Sequence, residues 1–111
     1  MSYDIAIAAF DANYTSNVSA VFYDHFPNGS GIMGLDGMTG SQCAAEFEGF
    51  WRSMHSAKMA VWSCGTVGEP HLSEKYDVPN GWGSLIGALI LIGQFQAACA
   101  QHPRHRVRVS A

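Results

Sequence analysis

No charged residue occurs between Trp82 and Ala100, and this stretch constrains the fold more than any other feature of the chain. Its length approaches the roughly 20 apolar residues that span a bilayer. However, three glycines dilute it, Gln94 and Gln96 interrupt it, and its densest apolar run covers only Leu85 to Ile92. We therefore expect a buried helix and no membrane contact.

This helix is predicted to bury more than one of its faces. Ser84 is the expected N-cap, and the helix should end near Ala100, before Pro103. Its apolar side chains form two rows, one of Leu85, Leu89 and Ile92 and the other of Ile86, Ile90 and Ala97. A helix that is apolar all round is buried on both sides. In so small a domain another subunit covers the second side most readily, so we expect a homo-oligomer and specifically a dimer.

The two ends of the chain alternate with the period of a β-strand. Tyr3 to Ala9 carries isoleucine at positions 5 and 7. Within His105 to Val109, arginine and valine alternate strictly from Arg106 onward. The second pattern fits an edge strand with its valines inward and its arginines outward, where charge prevents unwanted pairing. We expect one α+β domain over residues 1–111. Its small antiparallel sheet should pair the N- and C-terminal strands, packed by about three helices.

Two further helices are predicted between these ends. Thr15 or Asn17 should cap the first, which runs to about Phe26. Thr39 and Gln42 have the spacing of a capping box at the start of the second.

The second helix should bury one stripe of side chains and then end early. The stripe has spacings of four, three and four, and consists of Cys43, Phe47, Phe50 and Met54. We expect the helix to end near His55 to Ala57. Met59 to Cys64 is then a short strand or an extended connection, and Gly65 to Val78 is irregular.

Charge and cysteine content exclude several classes of protein. Only 14% of the residues are charged, and the formal charge of −3 argues against general nucleic-acid binding, which requires a basic face. The residues from Met1 to Asp4 lack the basic start of a signal peptide. Three widely spaced cysteines, at positions 43, 64 and 99, are typical of reduced thiols in a cytoplasmic protein.

Two short polar-aromatic segments, Asn13 to Asn17 and Pro79 to Gly83, each precede a predicted helix. Asparagine amides can read the edge of a base, and aromatic rings can stack on it. The backbone N–H groups at a helix start can bind phosphate, and an arginine can neutralise it. The candidate ligand-binding residues are Asn13, Tyr14, Asn17, Asn80, Trp82, Arg106 and Arg108. Alternatively, the asparagines cap turns and the tryptophan fills the core.

Metal and catalytic motifs are weak in this chain. Cys64 and His71 are seven residues apart and His102 and His105 are three apart, and neither spacing is that of a zinc site. We expect no cofactor and no metal. Cys64 is the only cysteine near a predicted loop and is the one candidate nucleophile. The other two lie at apolar helical positions, where burial should raise the thiol pKa.

The chain resembles a family of small uncharacterised proteins from bacteria and their phages. The matching segments are Tyr3-Asp4-Ile5, Asn13-Tyr14-Thr15-Ser16-Asn17, Leu35-Asp36-Gly37-Met38-Thr39-Gly40, Pro79-Asn80-Gly81-Trp82-Gly83 and the ending from Ala97 to Ser110. The family usually has an acidic residue where Ser84 stands and a shorter connection than Gly65 to Val78. Its occurrence in phages implies one activity, the sequestration of a nucleotide immune signal.

Three functions remain open at this point. The first is a non-enzymatic protein that binds a nucleotide-like small molecule. The second is a homo-oligomeric interaction module with no small ligand, whose basic tail docks an acidic partner. The third is an enzyme of unknown class that uses Cys64.

Overall fold

The computed structural model describes residues 2–15, 19–63, 76 and 84–111. In chain order the elements are β1 (Ser2–Ile7), β2 (Phe10–Thr15), α1 (Ser19–His25), a 3-10 helix (Gly31–Leu35), α2 (Gly40–Ser63), α3 (Leu85–Gln101) and β3 (Arg108–Ser110). The strands form an antiparallel sheet in the order β2-β1-β3. The predicted α+β fold, with the terminal strands paired and three α-helices in the described part of the chain, is confirmed.

The hairpin between β1 and β2 was not predicted from the sequence. Ile7 pairs with Phe10, so only two residues reverse the chain. Ala8 has a φ of 51°, in the left-handed region that glycine or asparagine normally occupies in such turns. Because alanine gives no turn signal, the pattern suggested a strand reaching Ala9 and concealed the second strand.

β3 lies at one edge of the described sheet, as its alternation indicates. The strand predicted from His105 to Val109 is shorter in the structure, where β3 begins at Arg108. The predicted inward side chains of Val107, just before β3, and of Val109 are both buried. The segment before α2 covers the outer side of this strand. The Val109 N–H donates to Asp36 Oδ1 at 2.9 Å, and the Val107 N–H donates to the Met38 carbonyl at 2.8 Å. The outer edge of β3 is therefore protected from pairing with another strand by these hydrogen bonds as well as by its charged side chains.

α2 begins at the predicted capping box. The Thr39 N–H donates to Gln42 Oε1 at 2.9 Å, and the Gln42 N–H donates to Thr39 Oγ1 at 3.3 Å. The predicted stripe from Cys43 to Met54 is buried. The predicted end near residues 55–57 is wrong, because α2 continues to Ser63. No glycine or proline interrupts residues 55–63, and alanine, lysine and methionine there favour helix.

α3 also has the predicted start. Ser84 Oγ accepts a hydrogen bond from the Gly87 N–H at 3.0 Å, and the helix ends at Gln101, shortly before Pro103. Among the residues described, no helix combines the length and hydropathy that a bilayer crossing requires. At the other end of the fold, Thr15 closes β2, and Asn17, the alternative cap of α1, lies outside the described residues.

One hydrophobic core joins the inner face of the sheet to the helices. Phe26 and Phe50 pack with ring centroids 4.7 Å apart, and Phe47 meets Phe95 edge-on at 5.2 Å. The largest fully buried side chains are Phe22, Phe47, Phe50, Phe95, Ile5, Ile7, Ile32, Leu35, Ile92, Val21, Val107 and Cys43. These contacts pack α2 against α1 and α3, and α3 in turn contacts β2, with its start beside the end of that strand.

Candidate functional site

The end of β2 and the start of α3 form a groove of about 250 Å³. Its lining residues are Asn13, Tyr14, Thr15, Ser84, Gly87, Ala88 and Leu91. The first polar-aromatic segment therefore reaches the helix start that directly follows the second segment in sequence. Asn17, Asn80 and Trp82 lie outside the described residues, so their part in this groove stays a prediction.

The start of α3 provides the polar end of this groove. Ser84 is extended, with φ −138° and ψ 153°, and its hydroxyl oxygen accepts the Gly87 N–H. A helix start carries a positive partial charge and suits an anionic group. A Cβ at Gly87 would lie 3.1 Å from Ser84 Oγ, so glycine leaves this end of the groove open.

Tyr14 forms a wall of the groove and not an open stacking platform. It is buried, it stacks on Tyr3 with ring centroids 5.0 Å apart, and its edge meets Phe22 at 5.2 Å. Burial raises the pKa of the Tyr14 phenol, and the neighbouring tyrosines add to this effect. The phenol is therefore neutral at physiological pH and can serve a ligand only as a hydrogen-bonding group.

Asn13 also faces a larger recess, of about 760 Å³, on the solvent side of the sheet. The register places Asn13, Asp4 and Ser110 in one row and Asp11, Ala6 and Arg108 in the next. The small side chain of Ala6 leaves space between Asp11 and Arg108. Two of the predicted residues, Asn13 and Arg108, therefore line one recess, together with two carboxylates that sequence reasoning did not select.

Arg106 lies beside the segment that precedes α2, away from the groove and the recess. Its guanidinium donates to the Gly37 carbonyl at 2.6 Å, and its backbone pairs with Thr39. It does not line the groove or the recess. Its observed contacts fasten the C-terminal segment to the residues that precede α2.

Sequence reasoning missed a hydrogen-bonded chain of four side chains. The Tyr76 hydroxyl donates to Asp24 Oδ2 at 2.8 Å, His25 Nε2 lies 2.9 Å from the Tyr76 oxygen, and His25 Nδ1 lies 2.7 Å from Ser53 Oγ. Ser53 is 28 residues from His25, and Tyr76 is 52 residues from Asp24. No local motif joins residues so far apart, so the sequence carries no signal for this set.

Cys43 and Cys99 are buried and hydrogen-bonded to each other. The bond from Cys99 lowers the pKa of the Cys43 thiol, and the same bond and burial raise the pKa of Cys99. The expectation of a raised pKa at Cys43 is therefore wrong, because the neighbouring thiol donates to its sulfur. Cys64 lies outside the described residues, and its proposed nucleophilic role stays a prediction.

Metal ligands do not cluster in the described part of the chain, where no three His, Cys, Asp or Glu side chains are placed to hold an ion. The His102 and His105 rings contact each other edge-on, with centroids 5.4 Å apart.

Comparisons with known protein families, with curated proteins and with solved structures find no match to this chain. The resemblance to the bacterial and phage family stays a prediction from the segments named above. The functions of the groove and of the hydrogen-bonded network from Asp24 to Ser53 are therefore inferred from the side chains that form them.

Proposed function

We propose that this protein binds a nucleotide-like small molecule in the groove between β2 and α3, without changing the ligand chemically. The observation that carries the proposal is the shared lining of this groove. Asn13 to Thr15 lie against Ser84 and Gly87, so an amide side chain and a helix start face the same space. These are groups that suit a base edge and an anion, respectively.

The geometry favours one orientation of the ligand. The anionic group lies at the start of α3, where the Ser84 hydroxyl accepts the Gly87 N–H and can donate its own proton to a phosphate oxygen. The base and sugar extend past Asn13 into the recess on the sheet. There Asp4 and Asp11 accept hydrogen bonds from amino or hydroxyl groups.

The opposite orientation is less favourable because of charge. Two carboxylates and one guanidinium line the recess, so a phosphate there would meet more negative than positive charge. The recess has the volume of a typical small-molecule site, and the groove alone is smaller than one. Asn13 lines both, so a ligand of nucleotide length spans the two.

Thermal unfolding with a panel of probes tests this proposal. The panel contains inorganic phosphate, adenosine, adenosine monophosphate and a cyclic dinucleotide. A binding nucleotide at a hundred times its Kd should add about 2.7 kcal/mol to the free energy of unfolding. Asn13→Ala should weaken binding at least tenfold, and Gln94→Ala, at an exposed position of α3, should not. No stabilisation by any nucleotide, or wild-type affinity in Asn13→Ala, would contradict the proposal.

The resemblance to phage proteins favours one use of such binding, the sequestration of a nucleotide immune signal. Sequestration requires that the ligand return intact. We expect mass spectrometry to recover unchanged nucleotide after heat denaturation of the loaded protein. Recovery of a hydrolysed product instead would contradict sequestration and favour an enzyme.

A second candidate function, a homo-oligomeric module, is favoured by the uncovered row of α3. Ile86 is 67% exposed and Ile90 is 57% exposed, one helical turn apart on the same face. Fully burying one such side chain contributes about 1.5–3 kcal/mol. We propose a dimer through this face, which is compatible with ligand binding in the neighbouring groove. The alternative without a small ligand predicts a dimer and no response to the nucleotide panel.

A further inference from the structure

The hydrogen-bonded network of four side chains, which runs from Asp24 through Tyr76 and His25 to Ser53, has a defined direction of donation. A phenol carries one proton, and Tyr76 donates it to the carboxylate of Asp24. The Tyr76 oxygen therefore accepts the proton of His25 Nε2. In the neutral imidazole Nδ1 then has a lone pair, and it accepts the proton of the Ser53 hydroxyl.

The Ser53 hydroxyl is positioned as a nucleophile would be. A serine inside a helix commonly turns its hydroxyl to the carbonyl of the preceding turn. Ser53 instead meets His25 across two helices, and the 2.7 Å distance is within the range for a nucleophile and its base. Both side chains are only partly buried, so the pair lies at the margin of the core and not inside it.

Tyr76 and Asp24 hold the imidazole in this tautomer. The Tyr76 side chain is buried, and burial together with the Asp24 hydrogen bond raises the pKa of its phenol. Tyr76 therefore remains a neutral link between the carboxylate and the imidazole. A carboxylate that orients a histidine, which in turn activates a serine, is the logic of a catalytic triad. Here a tyrosine lies between the carboxylate and the histidine.

The surroundings of His25 favour an uncharged substrate. The rings of Phe50 and Tyr76 meet the imidazole edge-on, with centroids 6.3 and 5.8 Å away. Asp24 contributes negative charge at the far end of the chain of hydrogen bonds. Buried aromatic rings beside the imidazole and a nearby carboxylate disfavour a charged ligand, so a neutral acyl group suits this centre better than a phosphate or a carboxylate.

We propose that Ser53 and His25 form an acyl-transfer centre for small neutral esters, separate from the binding groove. Ser53 Oγ attacks the ester carbonyl carbon and forms an Oγ–C bond, while its proton passes to His25 Nδ1. The bond to the leaving oxygen breaks, and the alcohol departs with that proton. Water then attacks the acyl-serine and gives a proton to His25. Release of the carboxylic acid returns the proton to Ser53 Oγ.

Acylation by p-nitrophenyl acetate and labelling by a fluorophosphonate test the centre. Intact mass and peptide mapping should show one added group, on Ser53. Ser53→Ala should lose it, while Ser56→Ala, at an exposed position of the same helix, should keep it. His25→Gln should slow labelling at least a hundredfold, the lower end of the usual general-base contribution.

The outcomes distinguish a reactive centre from a structural network. No added mass, addition at another residue, or an unchanged rate in folded His25→Gln would overturn the proposal. If circular dichroism shows that His25→Gln does not fold, Tyr76→Phe replaces it. That variant keeps Ser53 and His25 but removes the group that orients the imidazole, so labelling of Ser53 should slow at least tenfold. An unchanged rate in Tyr76→Phe would then overturn the proposal.

Discussion

The absence of a side chain at Gly87 affects both the stability of α3 and the space in the binding groove. It is the third residue of α3, and its N–H donates a hydrogen bond to the hydroxyl oxygen of Ser84, the N-cap. An acidic or amide side chain at this position would complete a capping box and stabilise the helix. The same side chain would project at the groove end that we assign to an anion. Stability and binding should therefore change in opposite directions at this residue.

We expect Gly87→Glu to unfold at a higher temperature than wild type and to lose nucleotide binding, because its carboxylate repels the ligand. Gly87→Gln adds similar bulk without charge and should retain more affinity. Ala45→Glu, at an exposed position of α2 that does not line the groove, should bind as wild type. Calorimetric titration measures all three. Equal affinities of Gly87→Glu and wild type would exclude an anion at this helix start.

Tyr76→Phe isolates one hydroxyl of the four-residue chain. The change removes an acceptor from His25 and a donor from Asp24, and buried groups that lose partners cost about 1–3 kcal/mol. We expect a loss of that size in urea denaturation. Tyr23→Phe is the matched control, since Tyr23 is 48% exposed and should change stability little. Equal stability of the two variants would mean that the network contributes nothing to the fold.

The helices α2 and α3 meet at their ends through glycine. A Cβ at Gly40 would collide with the carbonyl oxygens of Cys99 and His102 at the end of α3. The Gly40 N–H also donates to the His105 carbonyl at 2.9 Å. The start of α2 is therefore packed directly against the backbone at the end of α3, and this close approach fixes the two helices relative to each other.

A pair of glycine variants tests this packing. In a helix, alanine is normally about 0.5–1 kcal/mol more favourable than glycine. Gly93→Ala, where a Cβ meets nothing within 4 Å, should gain stability by about that amount. Gly40→Ala should lose stability, because the backbone of α3 must move. Chemical denaturation compares the two, and a gain at both positions would refute the close contact.

For the whole molecule, the composition and the uncovered row of α3 lead to the same expectation. Few residues are charged, and two isoleucines of one helix face remain exposed in the single chain. A dimer through this face would cover both isoleucines. The binding groove is lined by the neighbouring residues Gly87, Ala88 and Leu91 of the same helix.

We expect wild-type protein to sediment as a dimer at micromolar concentration and Ile90→Glu to sediment as a monomer. A carboxylate at the centre of an apolar interface would lose its hydration without gaining a partner. Ala45→Glu, at an exposed position of α2, should remain dimeric. A monomeric wild type would refute the dimer. A dimeric Ile90→Glu would show that the interface lies on another face.

The features that depend on short spacings follow from the sequence alone. The Thr39–Gln42 and Ser84–Gly87 caps join groups three residues apart, and the buried stripe from Cys43 to Met54 repeats with the helical period. The inward valines of β3 follow from the two-residue period of a strand. Each of these patterns lies within a few residues, so local geometry alone specifies it.

The hairpin, the length of α2 and the two candidate sites became evident only in the folded protein. The turn at Ala8 has no residue that signals it, and α2 continues through a segment in which helix and strand patterns compete. Asn13 meets Ser84, and Ser53 meets His25, only because the packed core brings distant elements together. The contacts that make a site are long-range, and periodicity carries no information about which distant surfaces will meet.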